Sequence, residues 1–195
     1  SEDGFWDKRG FYQHVTDTRV FGVEANADKV GLGAVAAVGT AIGAQWLAKE
    51  QGFTAIAHEA FTASLLHDVG KLLLFAVMAS LRKKPDVKVN PSNDFILEVL
   101  DNFHSEYGYM LLKTWNLPEN YCVVARDHHQ ETQDTDHVLL LMVRLVNMAC
   151  HKIGIGLKHE PDVILAATPE ANAMGISEIT LANLEIKLEC SQLLA

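Results

Sequence analysis

Residues 61–75 read FTASLLHDVGKLLLF, and this stretch decides the fold of the chain. Its apolar residues recur every three to four positions, a spacing typical of one face of an α-helix. His67, Asp68 and Lys71 interrupt the apolar residues and lie beside that face. Since a buried charged group is costly unless it is paired or bound to a metal, these side chains require partners. The stretch therefore predicts a core helix, residues 57–81, that also carries a polar site.

Two interpretations of these polar groups are open. In the first, His67 and Asp68 hold a metal ion, and the second oxygen of Asp68 bridges to another ion. In the second, Asp68 accepts hydrogen bonds from His67, Lys71 or another histidine in a purely structural network. A single His-Asp pair does not decide between them, because the pair is a weak motif by itself.

The composition predicts a protein with one well-buried core. The chain has 195 residues, of which 49% are apolar. Sixteen Lys and Arg residues stand against 25 Asp and Glu, which gives a formal charge of −9. A nucleic acid polymer is therefore not expected as a partner, because its phosphates require a positive face.

Residues 30–44, VGLGAVAAVGTAIGA, are the most apolar stretch and raise the question of a membrane span. The stretch is short for a bilayer and rich in Gly and Ala. We therefore expect no membrane association and a buried helix that packs closely through Gly39 and Gly43.

The three cysteines are an odd number without CxxC spacing, and no secretory signal is visible. These features favour reduced core thiols in a cytoplasmic protein.

Helical periodicity recurs along the rest of the chain, and no alternating strand pattern of useful length is present. The sequence predicts an all-α fold, with helices over residues 28–50, 57–81, 95–103, 104–115, 119–129, 138–153 and 178–194. Residues 28–195 are predicted to form one helical domain. Residues 1–27 are expected to be the remnant of a larger N-terminal portion.

Three further histidines, His104, His128 and His129, are the other candidate ligands. Each by itself is more often a capping or solvated side chain than a ligand. Together with His67 and Asp68 they form a set of imidazoles and a carboxylate, which Zn, Fe, Mn and Co prefer. Gly108, one turn after His104, is expected to leave space beside its ring.

The order of these residues resembles a known family. The motifs are His67-Asp68 with Gly70-Lys71, His104 with Gly108, the run Trp115-Asn116-Leu117-Pro118, and the pair His128-His129. They are similar to the HD superfamily of metal-dependent phosphohydrolases, and most similar to its HDOD branch, the HD-related output domain of bacterial signalling proteins. The resemblance covers residues 34–194 and implies an HD-domain-like helical bundle.

The resemblance also implies a ligand set. Active members bind two or more metal ions through an early histidine, the HD pair, three later histidines and a final aspartate. The corresponding metal ligands here are His67, Asp68, His104, His128 and His129. The resemblance leaves the divalent transition metal open among Fe, Mn, Zn, Co and Ni.

Two positions depart from the family pattern. Ala36 stands nearest to the place of the early histidine, and Asn147 stands at the final aspartate. One half of a two-ion site would therefore keep only His67 and Asp68. The other half would keep all four of its ligands. The sequence thus predicts a partly degraded metal site.

Three functions follow from this pattern. The preferred prediction is a non-catalytic signal-transduction module that acts on a partner protein or an attached signalling domain, with a homodimer as another assembly. The alternative is a phosphohydrolase for a nucleotide or cyclic dinucleotide, in which Lys71 neutralises a substrate phosphate and His14 supplies a missing ligand. The third is a purely structural helical protein without metal.

Overall fold

The computed structural model describes residues 27–82, 91–130 and 136–192. Within these ranges the regular elements are helices, without a strand, which confirms the all-α prediction. The helices are α1 (Ala27–Glu50), α2 (Ala57–Leu66), α3 (Val69–Arg82), α4 (Asn93–Thr114), α5 (Glu119–Asp127), α6 (Val138–Lys152), α7 (Pro169–Ala173) and α8 (Glu178–Gln192). The predicted N-terminal segment, with His14, lies outside the described residues apart from the start of α1.

The predicted single helix over residues 57–81 is wrong, because the chain turns at His67-Asp68 and divides it into α2 and α3. The Lys71 amide donates to the Asp68 carbonyl at the start of α3. An unbroken helix would point adjacent side chains about 100° apart. In the turn, His67 Nε2 instead lies 3.4 Å from Asp68 Oδ2.

The division into helices 95–103 and 104–115 is also wrong, because α4 continues through both. Residues 95–107 contain no Gly or Pro that would end a helix between Phe103 and His104. The Ser92 side chain caps the N-terminus by accepting from the Phe95 amide at 3.2 Å. Helix α4 ends where Asn116 adopts a positive φ of 55°.

The main core lies where α1 packs against α2, α6 and α8. At Gly43 the contact is so close that an added Cβ would lie 2.7 Å from Val146 and 2.9 Å from Leu188. The predicted close packing of α1 through this glycine is therefore confirmed. Two cysteines are buried as predicted, but Cys190 is exposed because it lies on the outer side of α8.

Two stretches, Gly31–Glu50 and Thr54–Leu81, are long and apolar enough to cross a membrane by length and composition alone. In each, 44% of the apolar window is buried inside the fold. The second stretch is interrupted by the turn at His67-Asp68. Both stretches therefore contribute to the helical core.

A smaller apolar cluster joins α3, α4 and α5 through residues that include Val69, Leu112 and Ala125. It holds the start of α3, the middle of α4 and the end of α5 together. These are the places that carry the predicted polar site.

Candidate metal centre

Three separate elements bring the polar side chains together. Asp68 lies in the turn before α3, His104 lies in the middle of α4, and His128 and His129 lie in the turn after α5. Asp68, His104 and His128 are buried, whereas His129 reaches the surface. Each of the four offers one ligand atom, and these atoms all lie within 4.8 Å of one another. We call these four residues the Asp-His cluster.

The approach of α3 to α4 depends on two glycines. A Cβ at Gly70 would overlap the His104 carbonyl and lie 2.7 Å from the Gly108 amide nitrogen. A Cβ at Gly108 would lie 3.3 Å from the Gly70 nitrogen. The space beside Gly108 is therefore filled by the α3 backbone and not left open beside the His104 ring, which corrects the prediction. This crossing carries Asp68 to His104.

Backbone carbonyls fix the tautomers of three rings. His67 Nδ1 lies 2.5 Å from the Ser64 carbonyl oxygen, and His104 Nδ1 lies 2.6 Å from that of Leu100. His128 Nδ1 lies 3.0 Å from the carbonyl of residue 125. Because a carbonyl oxygen only accepts, each Nδ1 carries the hydrogen, and a neutral ring then presents a bare Nε2. This is the arrangement that metal-binding histidines adopt.

The bare nitrogens meet the Asp68 carboxylate. Its Oδ1 lies 3.3 Å from His104 Nε2 and 3.5 Å from His128 Nε2, and those two nitrogens are 3.3 Å apart. The Ser105 hydroxyl also lies 3.3 Å from His104 Nε2. Oδ1 itself is buried without a hydrogen-bond donor. Acceptors that face one another in this way favour a cation between them.

The electrostatics support neutral rings around an ionised carboxylate. Burial lowers the pKa of His67 and of His104 from 6.5 to about 4, although the Asp68 charge acts in the opposite direction. Burial by itself would raise the pKa of the Asp68 carboxyl, but His67 and the Lys71 ammonium hold it well below its usual range. At neutral pH the site therefore offers lone pairs and one negative charge.

His67 does not belong to the Asp-His cluster. Its ring is fully buried, and its Nε2 lies 3.4 Å from the other carboxylate oxygen, Asp68 Oδ2. That nitrogen has no hydrogen-bond partner. The same oxygen accepts a hydrogen bond from Lys71 Nζ at 2.6 Å. Oδ2 thus faces His67 and Lys71, whereas Oδ1 faces His104 and His128. The two sets still touch, since the ring centroids of His67 and His128 lie 4.9 Å apart.

Of the two departures from the family pattern, Ala36 lies beside Asp68, and Asn147 is a buried residue of α6. Ala36 on α1 lines a cavity of ≈ 120 Å³ together with Asp68 and Lys71. Asn147 on α6 is buried, and its Oδ1 has no hydrogen-bond partner. A methyl group and a neutral amide thus stand where the family pattern has an imidazole and a carboxylate.

His151 lines the same cavity and was missed by the sequence analysis. It lies one helical turn after Asn147 on α6. This spacing in the sequence could have indicated that His151 and Asn147 share one face of the helix. Its Nδ1 lies 3.9 Å from Glu160 Oε2, and burial lowers its pKa. Asp101 and Lys158, which also line the cavity, form an ion pair at 3.2 Å.

The Asp-His cluster fits a divalent transition metal. Three imidazole nitrogens and one carboxylate oxygen are a common ligand set for Zn and related ions. Tetrahedral ligands about 2.0–2.1 Å from Zn lie roughly 3.3 Å from one another. The separations of 3.3 and 3.5 Å around Asp68 Oδ1 are close to that value. The cluster is therefore a candidate metal centre formed by Asp and His ligands.

Short stretches of the chain are similar to curated proteins of another kind. It is 54% identical over 44 residues to an uptake hydrogenase small subunit of Bradyrhizobium diazoefficiens, and 59% identical over 44 residues to one of Rhizobium leguminosarum bv. viciae. Each match covers 23% of this chain and 12% of the relative. The chain thus spans about an eighth of the length of those subunits.

The longer similarities concern the helical domain. A crystal structure of an HDOD domain protein of unknown function from Geobacter sulfurreducens is similar with a TM-score of 0.59 and 22% identity. The similarity covers 82% of this chain and 58% of that one, and it shows the helical fold. The family model of the HDOD domain matches residues 20–131, which is more than half of the sequence. The chain therefore belongs to the HDOD domain family.

Proposed function

We propose that this HDOD-family chain is a non-catalytic regulatory module of bacterial signal transduction in the cytoplasm, and that its Asp-His cluster holds a single divalent transition metal ion. One observation carries the proposal. The four ligand atoms of the Asp-His cluster lie within 4.8 Å of one another, while Ala36 and Asn147 stand where the family resemblance expects an early histidine and a final aspartate.

The proposed lack of catalysis follows from the ligand count. Two-ion hydrolysis requires ions about 3.5–4 Å apart, so that water is activated and the phosphoryl oxygens are stabilised together. When bound, a divalent ion supplies Lewis-acid chemistry, but four protein ligands fill a tetrahedral site and leave no open position for water. Asp68 and the three histidines then connect α3, α4 and the end of α5 as a structural link.

Phosphohydrolase activity is the second candidate function, and the cavity beside Asp68 favours it. Lys71 and Lys158 both line that cavity, and ammonium groups suit a phosphate. However, each lysine is already paired with a carboxylate, at 2.6 Å and 3.2 Å respectively. Both lysines are therefore less available to a substrate phosphate, and we favour the regulatory role over the phosphohydrolase.

Metal content and hydrolysis together test the proposal. We expect about one transition metal ion per chain after purification without chelator, by elemental analysis. Asp68→Ala should lose the ion, and so should His129→Gln, whose exposed position makes misfolding a poor explanation for the loss. We expect hydrolysis of a cyclic dinucleotide and of bis(p-nitrophenyl) phosphate no faster than with Asp68→Ala.

Two other results would contradict the proposal in different ways. Two ions per chain together with Asp68-dependent hydrolysis would establish the phosphohydrolase. No bound ion, and a melting temperature that chelator does not change, would establish the purely structural network.

The regulatory role also requires a partner, and α4 offers a surface for one. Four large apolar side chains on α4 are between 42% and 52% exposed: Phe95, Phe103, Tyr107 and Met110. Glu98 and Glu106 lie one helical turn from them and are exposed. An acidic, apolar face on an acidic chain repels a second copy, so we infer that its partner is a protein segment with basic and apolar residues.

A further inference from the structure

Helix α8 is apolar on two opposite sides. Its inner side, with Leu181, Leu184 and Leu188, is buried in the main core. Its outer side carries Ile179 and Ile186, which are 75% and 58% exposed. A helix on a protein surface is usually polar where it faces water, and a helix that is apolar all round is usually buried. The outer side of α8 therefore has the composition of a surface that a partner covers.

The outer side of α8 has a regular spacing. Ile179 and Ile186 are seven residues apart, as are Asn183 and Cys190, and all four side chains are exposed. Because an α-helix has 3.6 residues per turn, positions seven apart return to nearly the same side. These four residues, which we call the α8 seam, alternate at steps of four and three, as do the contact positions of a two-helix coiled coil. Leu193 continues the same spacing in the sequence.

The α8 seam contains one amide, Asn183, and this residue favours an identical partner. The amide carries both hydrogen-bond donors and an acceptor. When two copies of a helix pair in parallel, identical residues face each other, so the two Asn183 side chains can satisfy one another. A single asparagine at such a position fixes the register and the number of helices in a coiled coil, at a cost in stability. An apolar segment of another protein would instead leave the amide without a partner.

Charges beside the α8 seam do not oppose self-pairing. In a parallel pair, Lys187 lies opposite Ala182 of the other copy, and Glu189 lies opposite Leu194. Like charges therefore do not meet across the seam, although the chain has a formal charge of −9. The acidic, apolar face of α4 differs, because its glutamates would repel those of a second copy. The α8 seam is therefore the better surface for a second copy.

We propose that the α8 seam joins two copies of this chain in a parallel pair, with a twofold axis between the two α8 helices. Four side chains per copy bury less than the roughly 1,200 Å² at which stable interfaces begin, so the dimer is weak and forms at micromolar concentration. The seam shares no residue with the Asp-His cluster or with the acidic, apolar face of α4. The inference therefore goes beyond the proposed function and does not depend on bound metal.

Sedimentation of the full chain from low to high micromolar concentration tests the pair. Ile179→Ser with Ile186→Ser should raise the dissociation constant of the dimer at least roughly tenfold, because two apolar contacts per copy are lost. Both side chains are exposed in the single chain, so an unchanged melting temperature at low concentration should show that the fold is intact. Phe103→Ser with Met110→Ser is the matched control, since it removes two exposed apolar side chains from α4 and should dimerise like wild type.

Asn183 and Cys190 test the parallel orientation. Asn183→Leu should dimerise at least roughly tenfold more tightly, because apolar contact replaces a buried polar pair. In a parallel pair the two Cys190 thiols face each other, so the mild oxidant diamide should link the two chains through them, whereas Cys122 and Cys150 are buried. Cys190→Ser should dimerise without the covalent link. Adding Ile179→Cys to that variant should restore the link, since position 179 also faces its own copy.

Three results would overturn the proposal. A wild-type chain that stays monomeric at every concentration would refute the pair. A dimer that is lost in Phe103→Ser with Met110→Ser, but kept in Ile179→Ser with Ile186→Ser, would place the interface on α4 instead. A dimer that diamide does not link through Cys190 would refute the parallel orientation. Chelator should leave the dissociation constant unchanged, because the α8 seam contains no residue of the Asp-His cluster.

Discussion

At the scale of single residues, the site depends on where each imidazole hydrogen lies. The Nδ1 hydrogens of His67 and His104 are taken up by carbonyls of their own helices, one turn or less before them. The sequence alone contains this arrangement, because the donor and acceptor are three or four residues apart. These local contacts therefore orient both rings, whereas burial in the folded core keeps them neutral by lowering their pKa.

The first residue-scale prediction concerns pH. The folded-state pKa of His67 and of His104 is about 4, against 6.5 when unfolded, so the unfolded chain binds more protons between these values. The free energy of unfolding should therefore be fully present above about pH 6.5 and fall as pH decreases towards 4, by a few kcal/mol in total. Urea denaturation in chelator at several pH values measures this.

Two matched variants test whether the pH dependence of the free energy of unfolding comes from His104. His104→Gln removes one of the buried rings and should reduce the pH dependence by about one proton. His58→Gln, which changes an exposed histidine on α2, should leave it unchanged. Equal slopes for both variants would contradict the assignment to His104.

At the scale of elements, the crossing of α3 and α4 determines the site. Gly70 and Gly108 bring the two backbones into contact, and this contact places Asp68 beside His104. From the sequence, Gly70 was only part of a motif and Gly108 was expected to leave space beside His104, so their contact was not predicted. The contact joins residues 38 positions apart, since 108 − 70 = 38, and no local periodicity encodes such a pairing.

Alanine substitutions test the crossing. Gly70→Ala should lower the free energy of unfolding by on the order of 3 kcal/mol or more, because its Cβ would overlap the backbone of α4. Gly108→Ala should cost less, about 1 kcal/mol, because its closest neighbour is at 3.3 Å. Urea denaturation of each variant gives these values.

Gly31→Ala is the control for helix propensity. Gly31 is exposed on α1 and has no atom within 4 Å of an added Cβ. The substitution should be neutral or stabilise the protein by up to about 1 kcal/mol, since alanine favours helix more than glycine does. If Gly70→Ala behaved like Gly31→Ala, the close crossing would be refuted.

At the scale of the whole molecule, α4 carries an exposed apolar face that includes Phe95, Phe103, Tyr107 and Met110. The buried side of the same helix contributes His104 and Gly108 to the site. A partner bound to the outer side would therefore contact the element that holds one of the metal ligands. A change in the position of α4 on partner binding would therefore move His104 at the candidate metal centre.

Binding of a synthetic amphipathic helix of Leu and Lys residues tests the acidic, apolar face. Phe103→Ser with Met110→Ser should weaken binding at least roughly fivefold, because apolar area and complementary charge act together there. Ile179→Ser is the control, since Ile179 is 75% exposed on α8, away from this face. Fluorescence titration at low and at high salt gives the affinities.

Equal binding by both variants would contradict the proposed surface. Self-association of the wild-type chain in sedimentation, abolished by Phe103→Ser with Met110→Ser, would instead assign the face to a second copy.

The sequence by itself determined the helical class and the residue types of the site. Helical periodicity is local, so the ends of α1, α5, α6 and α8 agree with prediction to within a few residues. The paired motifs around His67-Asp68 and His128-His129 likewise carry their chemistry in a few adjacent letters. These properties depend on neighbours along the chain.

Only the tertiary structure decided where the helices break and which side of Asp68 each group occupies. The turn between α2 and α3 contains neither Gly nor Pro, and Gly70, two residues after it, packs against the backbone of α4. The contact of His67 with Oδ2, and the convergence of the three other histidines with Asp68, depend on the packing of separate helices. Contacts between helices far apart in the sequence depend on the packing of the whole core, and the spacing of residues along the chain does not encode them.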